Sequence, residues 1–288
     1  MLKLGIVSLE SSHVDAFCKL LNADGGLDGM RVRGARVTAL CPWENPLARV
    51  QELQEAFGIE EVFSSPEEML PQVDAAMLLA RDGGIHREQA EPFLAAGKPT
   101  FVDKPFALSV ADAQAMVEAS RRGGAPLMSC SALRFAAELA PIKAEMPELG
   151  PIRHAFCSGP GELFFYGVHI AEVVHTMLGP GIESVRNLAD EQQDIMTVRW
   201  QDGKTAVLSL LREGANGFHF SVYCDKGLRS TSIGDLAFYR NTVAEFVKMC
   251  QTGEEPVDLD HTLEIIKLLA AAEASRDQDG AAVRLADL

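Results

Sequence analysis

Over the first 130 residues two hydrophobic periodicities alternate. Short apolar runs recur at 2–9 (LKLGIVSL), 35–40 (ARVTAL), 62–63 (VF), 75–80 (AAMLLA), 99–103 (PTFVD) and 126–129 (PLMS). Between the first two runs, Val14, Phe17, Cys18 and Leu21 stand at i, i+3, i+4 and i+7, one face of a helix over 12–22. Further helices are predicted at 46–57, 86–96 and 110–121. Strands that alternate with amphipathic helices form βαβ units, whose parallel sheet is covered on both faces. The first part of the chain therefore reads as a doubly wound α/β domain.

Past about residue 150 the pattern changes. Strands are predicted at 182–188, 195–200, 205–211 and 218–224, one after another. QDGK at 201–204 places an Asp-Gly pair between two apolar runs, a hairpin signal. Helices at 236–251 and 260–277, the second capped by Asp260, close the chain. Consecutive strands after a βαβ series indicate a separate α+β domain with a mainly antiparallel sheet. The division predicted is 1–128 and 129–288.

Composition narrows the partners. Against 26 Lys and Arg stand 41 Asp and Glu, a formal charge of −15. That deficit argues against nucleic acid, whose phosphates are bound largely by neutralisation, and against an anionic membrane surface. A hydrophobic fraction of 47% with 23% charged residues suits a globular chain with a sizeable core. The six cysteines (18, 41, 130, 157, 224 and 250) are scattered singly, as reduced and mostly buried thiols are. The N-terminal apolar run is short for a signal peptide, and no run approaches the roughly 18 apolar residues of a membrane span. The expectation is a cytoplasmic protein acting on a small molecule.

In open α/β sheets ligands bind at the carboxyl ends of the strands. The first such loop reads GIVSLESSHVDAF, where a dinucleotide turn would carry G-x-G-x-x-G so that bare backbone can approach a pyrophosphate. Gly5 lies inside the strand instead, and the candidate cofactor contacts are Ser8, Leu9, Ser11, Ser12 and His13 at a helix start. Ser11 or Ser12 is alternatively a plain N-cap, and Glu10 puts a negative charge beside any phosphate. At the end of the second strand Cys41 and Pro42 stand where an acid would hold ribose hydroxyls. Trp43 there either stacks on an adenine face or simply packs. The third loop is sharper: Asp103-Lys104-Pro105 follows PTFVD, and Pro105 biases Lys104 away from helix. A lysine at that edge can polarise a substrate oxygen; an exposed loop lysine is the bland alternative.

GK-x-x-x-x-[DE]KP, the following helix and the strand PLM leading to Arg134 resemble the Gfo/Idh/MocA oxidoreductases (glucose–fructose oxidoreductase, inositol dehydrogenase and relatives). FFYGVHIAEVVHTMLG resembles that family's G-x-H helix, and GEEPVDLDHTLEIIKLLAAAEAS its closing segment, so the resemblance covers nearly the whole chain. It implies a Rossmann domain for NAD or NADP, with Asp103, Lys104 and Pro105 at the cofactor. It also implies an α+β domain whose sheet mediates a homodimer or homotetramer, and hydride transfer at a carbinol carbon of a sugar or polyol. Lys104 matches the family's lysine, and His169 its proton-transferring histidine. Phe165 stands where the family's D-x-G-x-H has its Asp, and Tyr166 is either a substitute proton donor or a packing residue.

Without the family, His169, Glu172 and His175 lie at i, i+3 and i+6, which spreads the outer pair by about 120° around a helix. A zinc protease places its histidines one turn apart, so a metal-dependent lyase or isomerase has the weakest support and no metal is expected. Glu172 either orients His169 or joins a helix-end network. His86 and His175 read as structural. Ser131 and Arg134, in SCSALRF, fall where the family has substrate-proximal residues; Arg134 either binds substrate bidentately or forms an interdomain salt bridge. Arg31, Arg33 and Arg36 read as a solvated loop. The candidate catalytic residues are Lys104, His169 and Tyr166, with Arg134 and Glu172 added for substrate. The alternative is a non-catalytic ligand-binding or regulatory relative on the same scaffold.

Overall fold

The computed structural model describes residues 1–214 and 216–288. The chain forms two compact units: Met1–Cys130 with Tyr239–Leu259, and Ser131–Phe238 with Asp260–Leu288.

The first unit is a parallel sheet of six strands: β1 (Leu2–Val7), β2 (Ala35–Cys41), β3 (Glu61–Val62), β4 (Ala75–Leu78), β5 (Thr100–Val102) and β6 (Leu127–Met128). Their order is β3-β2-β1-β4-β5-β6, all parallel. The sequence leaves β1 outward in one direction and returns from β4 in the other, so the β1–β4 gap is the topological switch point. β4 is buried at all four positions, as a strand covered on both faces must be. The connecting helices are α1 (Ser12–Asn22), α2 (Leu47–Phe57), α3 (Pro66–Met69), α4 (His86–Ala95) and α5 (Val110–Gly123). α1 buries the predicted stripe of Val14, Phe17, Cys18 and Leu21. α5 starts at Ser109, whose hydroxyl accepts from the Asp112 N–H at 3.0 Å, and stops at Gly124 in the left-handed conformation, a capped start and a glycine stop.

The second unit holds α6 (Leu139–Leu149), β7 (Ile152–Pro160), α7 (Leu163–Leu178), β8 (Ile182–Ala189), β9 (Gln193–Trp200), β10 (Thr205–Leu211), β11 (Phe218–Cys224) and β12 (Gly227–Ile233). β13 (Val283–Arg284) completes a sheet ordered β12-β11-β7-β10-β9-β8-β13. It is antiparallel except for β7 beside β10, which are parallel. α7 lies close on this sheet because Gly167 has no side chain: a Cβ there would stand 3.2 Å from Leu210 and 3.3 Å from Leu269.

Three expectations need correction. The division at 128/129 misses that Tyr239–Leu259, which includes most of α8 (Ala237–Thr252), returns to the first unit. The reason is aromatic packing: Phe246 meets Phe101 edge-on at 5.8 Å, and Tyr239 meets His13 at 5.2 Å. β7 escapes the periodicity argument because its inward positions are Ala155, Cys157 and Gly159, too small to stand out. Helix α9 (Leu259–Asp277) begins one residue before Asp260, so Asp260 sits in its first turn rather than at its cap. Among the described residues no helix is long and apolar enough to cross a membrane.

Phe246 is fully buried, so Phe246→Ala should cost about 3–5 kcal/mol. Denaturant unfolding checks this, and a loss below about 1 kcal/mol would show that the returning segment does not anchor the first unit.

Candidate functional site

At the carboxyl edge of the first sheet, the turn after β1 keeps a glycine-like shape without glycines. Ser8 adopts φ +63°, a left-handed conformation that glycine takes without cost. The glycine positions of the dinucleotide fingerprint, spaced i, i+2 and i+5, would fall on Ser8, Glu10 and His13. Each of the three ties the turn to a neighbouring element: Ser8 to α4, Glu10 to the loop after β4 and His13 to the end of β5. Ser8 Oγ accepts from Gln89 Nε2 at 2.8 Å, Glu10 Oε1 accepts from the Arg81 N–H at 2.8 Å, and His13 Nδ1 lies 2.7 Å from Asp103 Oδ2. Ser11 is the N-cap of α1, its hydroxyl accepting from the His13 N–H at 3.2 Å, and Ser12 is the first helical residue. As at any helix start, the first N–H groups have no intrahelical partner. Leu9 is fully buried, and both its backbone groups are engaged: its N–H donates to Asn45 Oδ1 and its carbonyl accepts from Arg49 Nε. Trp43 is half-buried with φ +56°, in the turn after β2.

Asp103, Lys104 and Pro105 follow β5 directly. One Asp103 oxygen takes His13; the other accepts the Lys104 N–H at 2.8 Å. Burial opposes ionisation of Asp103, yet the charge and hydrogen bond of His13, with Lys104 beside it, hold its carboxyl below the usual range. Lys104 is buried rather than an exposed loop lysine. Desolvation pulls its pKa below the usual lysine range, with Asp103 opposing and the Arg81 charge adding to the fall. His86 is structural, as its place in the sequence suggests. Its ring nitrogens lie within hydrogen-bond distance of the carbonyls of Pro105, Phe106 and Ala80, pinning the loop that carries Lys104.

In the second unit α7 carries Phe165, Tyr166, His169 and Glu172. Glu172 Oε2 accepts from Arg134 at 2.6 Å in a buried ion pair, as in the helix-network alternative. Both partners lie in the same unit, so this ion pair is not an interdomain salt bridge. His169 Nδ1 instead meets Ser131 Oγ at 2.6 Å. Tyr166 and Phe218 stand at angles to the His169 ring, with centroids at 5.8 and 5.4 Å. Bare backbone seats both: a Cβ on Gly161 would come within 2.2 Å of the Tyr166 ring, and one on Gly159 within 2.7 Å of Phe218. His175 turns to Glu264 at 2.8 Å. The histidines and the acid of the metal-lyase reading thus face three separate partners. Among the described residues no group of three or more His, Cys, Asp or Glu side chains is arranged to hold a metal.

The first unit therefore brings together Ser8, Leu9, Ser11, Ser12, His13, Asp103, Lys104 and Pro105 at one sheet edge, with Trp43 at the tip of β2. The second brings together Ser131, Arg134, Tyr166, His169 and Glu172. Sequence reasoning did not find Gln89, Arg81 and Asn45 as braces of the first turn, nor Ser131 as the partner of His169. These pairs are 81, 71, 36 and 38 residues apart, and no local spacing signals them.

Residues 29–130 match the model described as an oxidoreductase family with an NAD-binding Rossmann fold. The D-apiose dehydrogenase of Paraburkholderia graminis is 37% identical over 98 residues, 34% of this chain and 26% of that protein. The chain thus spans about a quarter of that relative's length. The myo-inositol 2-dehydrogenase of Thermotoga maritima is 22% identical over 83% of this chain and 89% of its own. In fold, the scyllo-inositol dehydrogenase of Lactobacillus casei, solved with NAD(H) and scyllo-inositol, superposes with a TM-score of 0.87 over 99% of both chains at 16% identity. Residues 29–130 are thus similar to an oxidoreductase family with an NAD-binding Rossmann fold, and the whole chain shares its fold with a polyol dehydrogenase.

Proposed function

We propose that the chain is an NAD(P)-dependent oxidoreductase acting on the CH–OH group of a sugar, polyol or related hydroxy compound. The observation that carries this reading is a buried lysine of depressed pKa, Lys104, at the edge of a family-matched dinucleotide sheet. Perturbed, buried titratable groups at a ligand-binding edge are what catalysis needs. The turn after β1 fits a pyrophosphate in shape and dipole. Ser8 holds the left-handed turn, α1 presents its N-terminus, and the Glu10 carboxylate is drawn onto the Arg81 N–H. Ser8, Ser11 and Ser12 would hold the phosphates, His13, Asp103 and Pro105 would shape the turn, and Trp43 would cover the adenine.

When bound, the nicotinamide supplies the acceptor for the substrate hydride. The Lys104 ammonium stabilises negative charge on the substrate oxygen as its proton leaves. His169 accepts that proton, and Tyr166 lies beside it as a second group able to donate one. Arg134 and Glu172 complete the substrate-binding set. Phe156, Ile195 and Val207 are half-exposed on the seven-stranded sheet, which supports assembly of a homodimer or homotetramer through that face. Six cysteines, none in a disulfide among the described residues, support a reducing, cytoplasmic setting.

The non-catalytic reading is favoured by one feature, the Glu10 charge in the phosphate turn. Thermal unfolding with NAD, NADH, NADP and NADPH separates the two. A dinucleotide at a hundred times its Kd adds about 2.7 kcal/mol, a rise of roughly 4–5 °C; no rise with any of the four at millimolar concentration would leave the binding-protein reading. Lys104→Ala should lower turnover by orders of magnitude while the unfolding temperature is kept, and retained activity would refute its role. Because Lys104 is charged below its pKa and loses that charge as pH rises, the alkaline limb of the rate profile should lie below the usual lysine range. In Lys104→Arg that limb should vanish; its persistence would assign it to another group. Light scattering should return at least twice the 31.2 kDa chain mass, and a monomer would overturn the assembly.

A further inference from the structure

The dehydrogenase reading makes His169 the proton acceptor but leaves open what orients its ring. An imidazole can take a proton at a defined atom only if its other nitrogen is held, since that partner sets both tautomer and orientation. The residue four positions before His169 is Phe165, which carries no acceptor, and the acid one turn after it, Glu172, is bonded to Arg134. The geometry points to Ser131 as the positioning residue of His169.

Three observations carry this assignment, which rests on the dehydrogenase reading for its catalytic meaning. Ser131 is wholly buried, so its hydroxyl does not exchange partners with bulk water. Oγ is fixed in space because it also accepts from the Leu133 N–H at 3.1 Å, as cap of the short turn Ala132–Phe135. Its contact with His169 Nδ1, at 2.6 Å, is at the short end for a hydrogen bond. The rings of Tyr166 and Phe218 flank the imidazole, Phe218 seated on Gly159 of β7 and Tyr166 on Gly161 just beyond that strand. Ring rotation is thereby blocked by packing while Nδ1 is fixed by the serine.

A carboxylate only accepts, whereas a serine has two lone pairs and one proton. With Leu133 on one lone pair, Oγ accepts Nδ1–H from the other, which leaves Nε2 basic to take the substrate proton. Nδ1–H still donates to Oγ in the imidazolium. In the reverse direction the imidazolium returns the Nε2 proton to the substrate oxygen while Nδ1–H stays on Oγ. The single contact therefore serves oxidation and reduction, with proton exchange to substrate at Nε2.

The test compares the full-length protein with Ser131→Ala and Ser131→Asp. The aspartate keeps an acceptor both for the Leu133 N–H and for His169 Nδ1–H, so it should rescue what the alanine loses, and the tautomer signal reads the histidine pairing separately from the cap. Nitrogen-15 NMR of labelled histidine reads the His169 tautomer without any turnover. The expected result is a mixed tautomer signal in Ser131→Ala and a restored Nδ1–H form in Ser131→Asp. For a hydroxy substrate, kcat in Ser131→Ala should fall on the order of tenfold, less than the 10²–10⁴ of a whole general base, with KM for the dinucleotide unchanged. An unchanged tautomer signal in Ser131→Ala, or equal losses in both variants, would overturn the assignment. Absence of dinucleotide-dependent turnover in the unsubstituted protein would instead sink the dehydrogenase reading, and the NMR result would still decide the pairing.

Discussion

A buried carboxylate organises the ligand edge of the first sheet. Asp103 is removed from water, and an ionised acid there persists only with partners. It has two, the His13 imidazole on one oxygen and the Lys104 N–H on the other. The first partner belongs to the start of α1 and the second to the backbone that presents the candidate catalytic lysine. Phosphate turn and lysine loop are therefore held by one side chain, and displacement of either is felt at the other.

The same economy appears along the whole turn. A glycine-rich turn owes its shape to the absence of side chains; this one owes it to three side chains that reach sideways. Ser8 reaches Gln89, Glu10 the Arg81 N–H, and His13 Asp103. What changes is the electrostatic character of the turn. Glu10 adds negative charge where a glycine fingerprint has none, and its hydrogen bond to Arg81 directs that carboxylate toward the β4 loop. The helix dipole and the first N–H groups of α1 remain the attractive elements for a phosphate.

In the second unit one helix delivers the chemistry, and small residues let it do so. Gly167 brings α7 onto the sheet, while Gly159 and Gly161 leave room for Phe218 and Tyr166 to close around His169. The ionisable groups of this helix are each assigned a separate partner: Glu172 to Arg134, His175 to Glu264 and His169 to Ser131. That separation is why the spacing of two histidines and a glutamate does not amount to a metal centre.

What could be read from the chain alone is what local periodicity carries. The alternation of apolar runs and amphipathic stretches specifies the parallel sheet and places DKP at a strand end. The D-G turn marks the β9–β10 hairpin, and the Ser11-Ser12 pair marks a cap, which the structure places on Ser11. Residue identity, Lys104 and His169 above all, supplied the candidate chemistry. Only the tertiary structure decided the return of Tyr239–Leu259 to the first unit, the burial of Lys104 and the choice of Ser131 over Glu172 as the partner of His169. Each of these depends on contacts between residues far apart in sequence. Such contacts follow from how whole elements pack, and no spacing within a helix or strand encodes them.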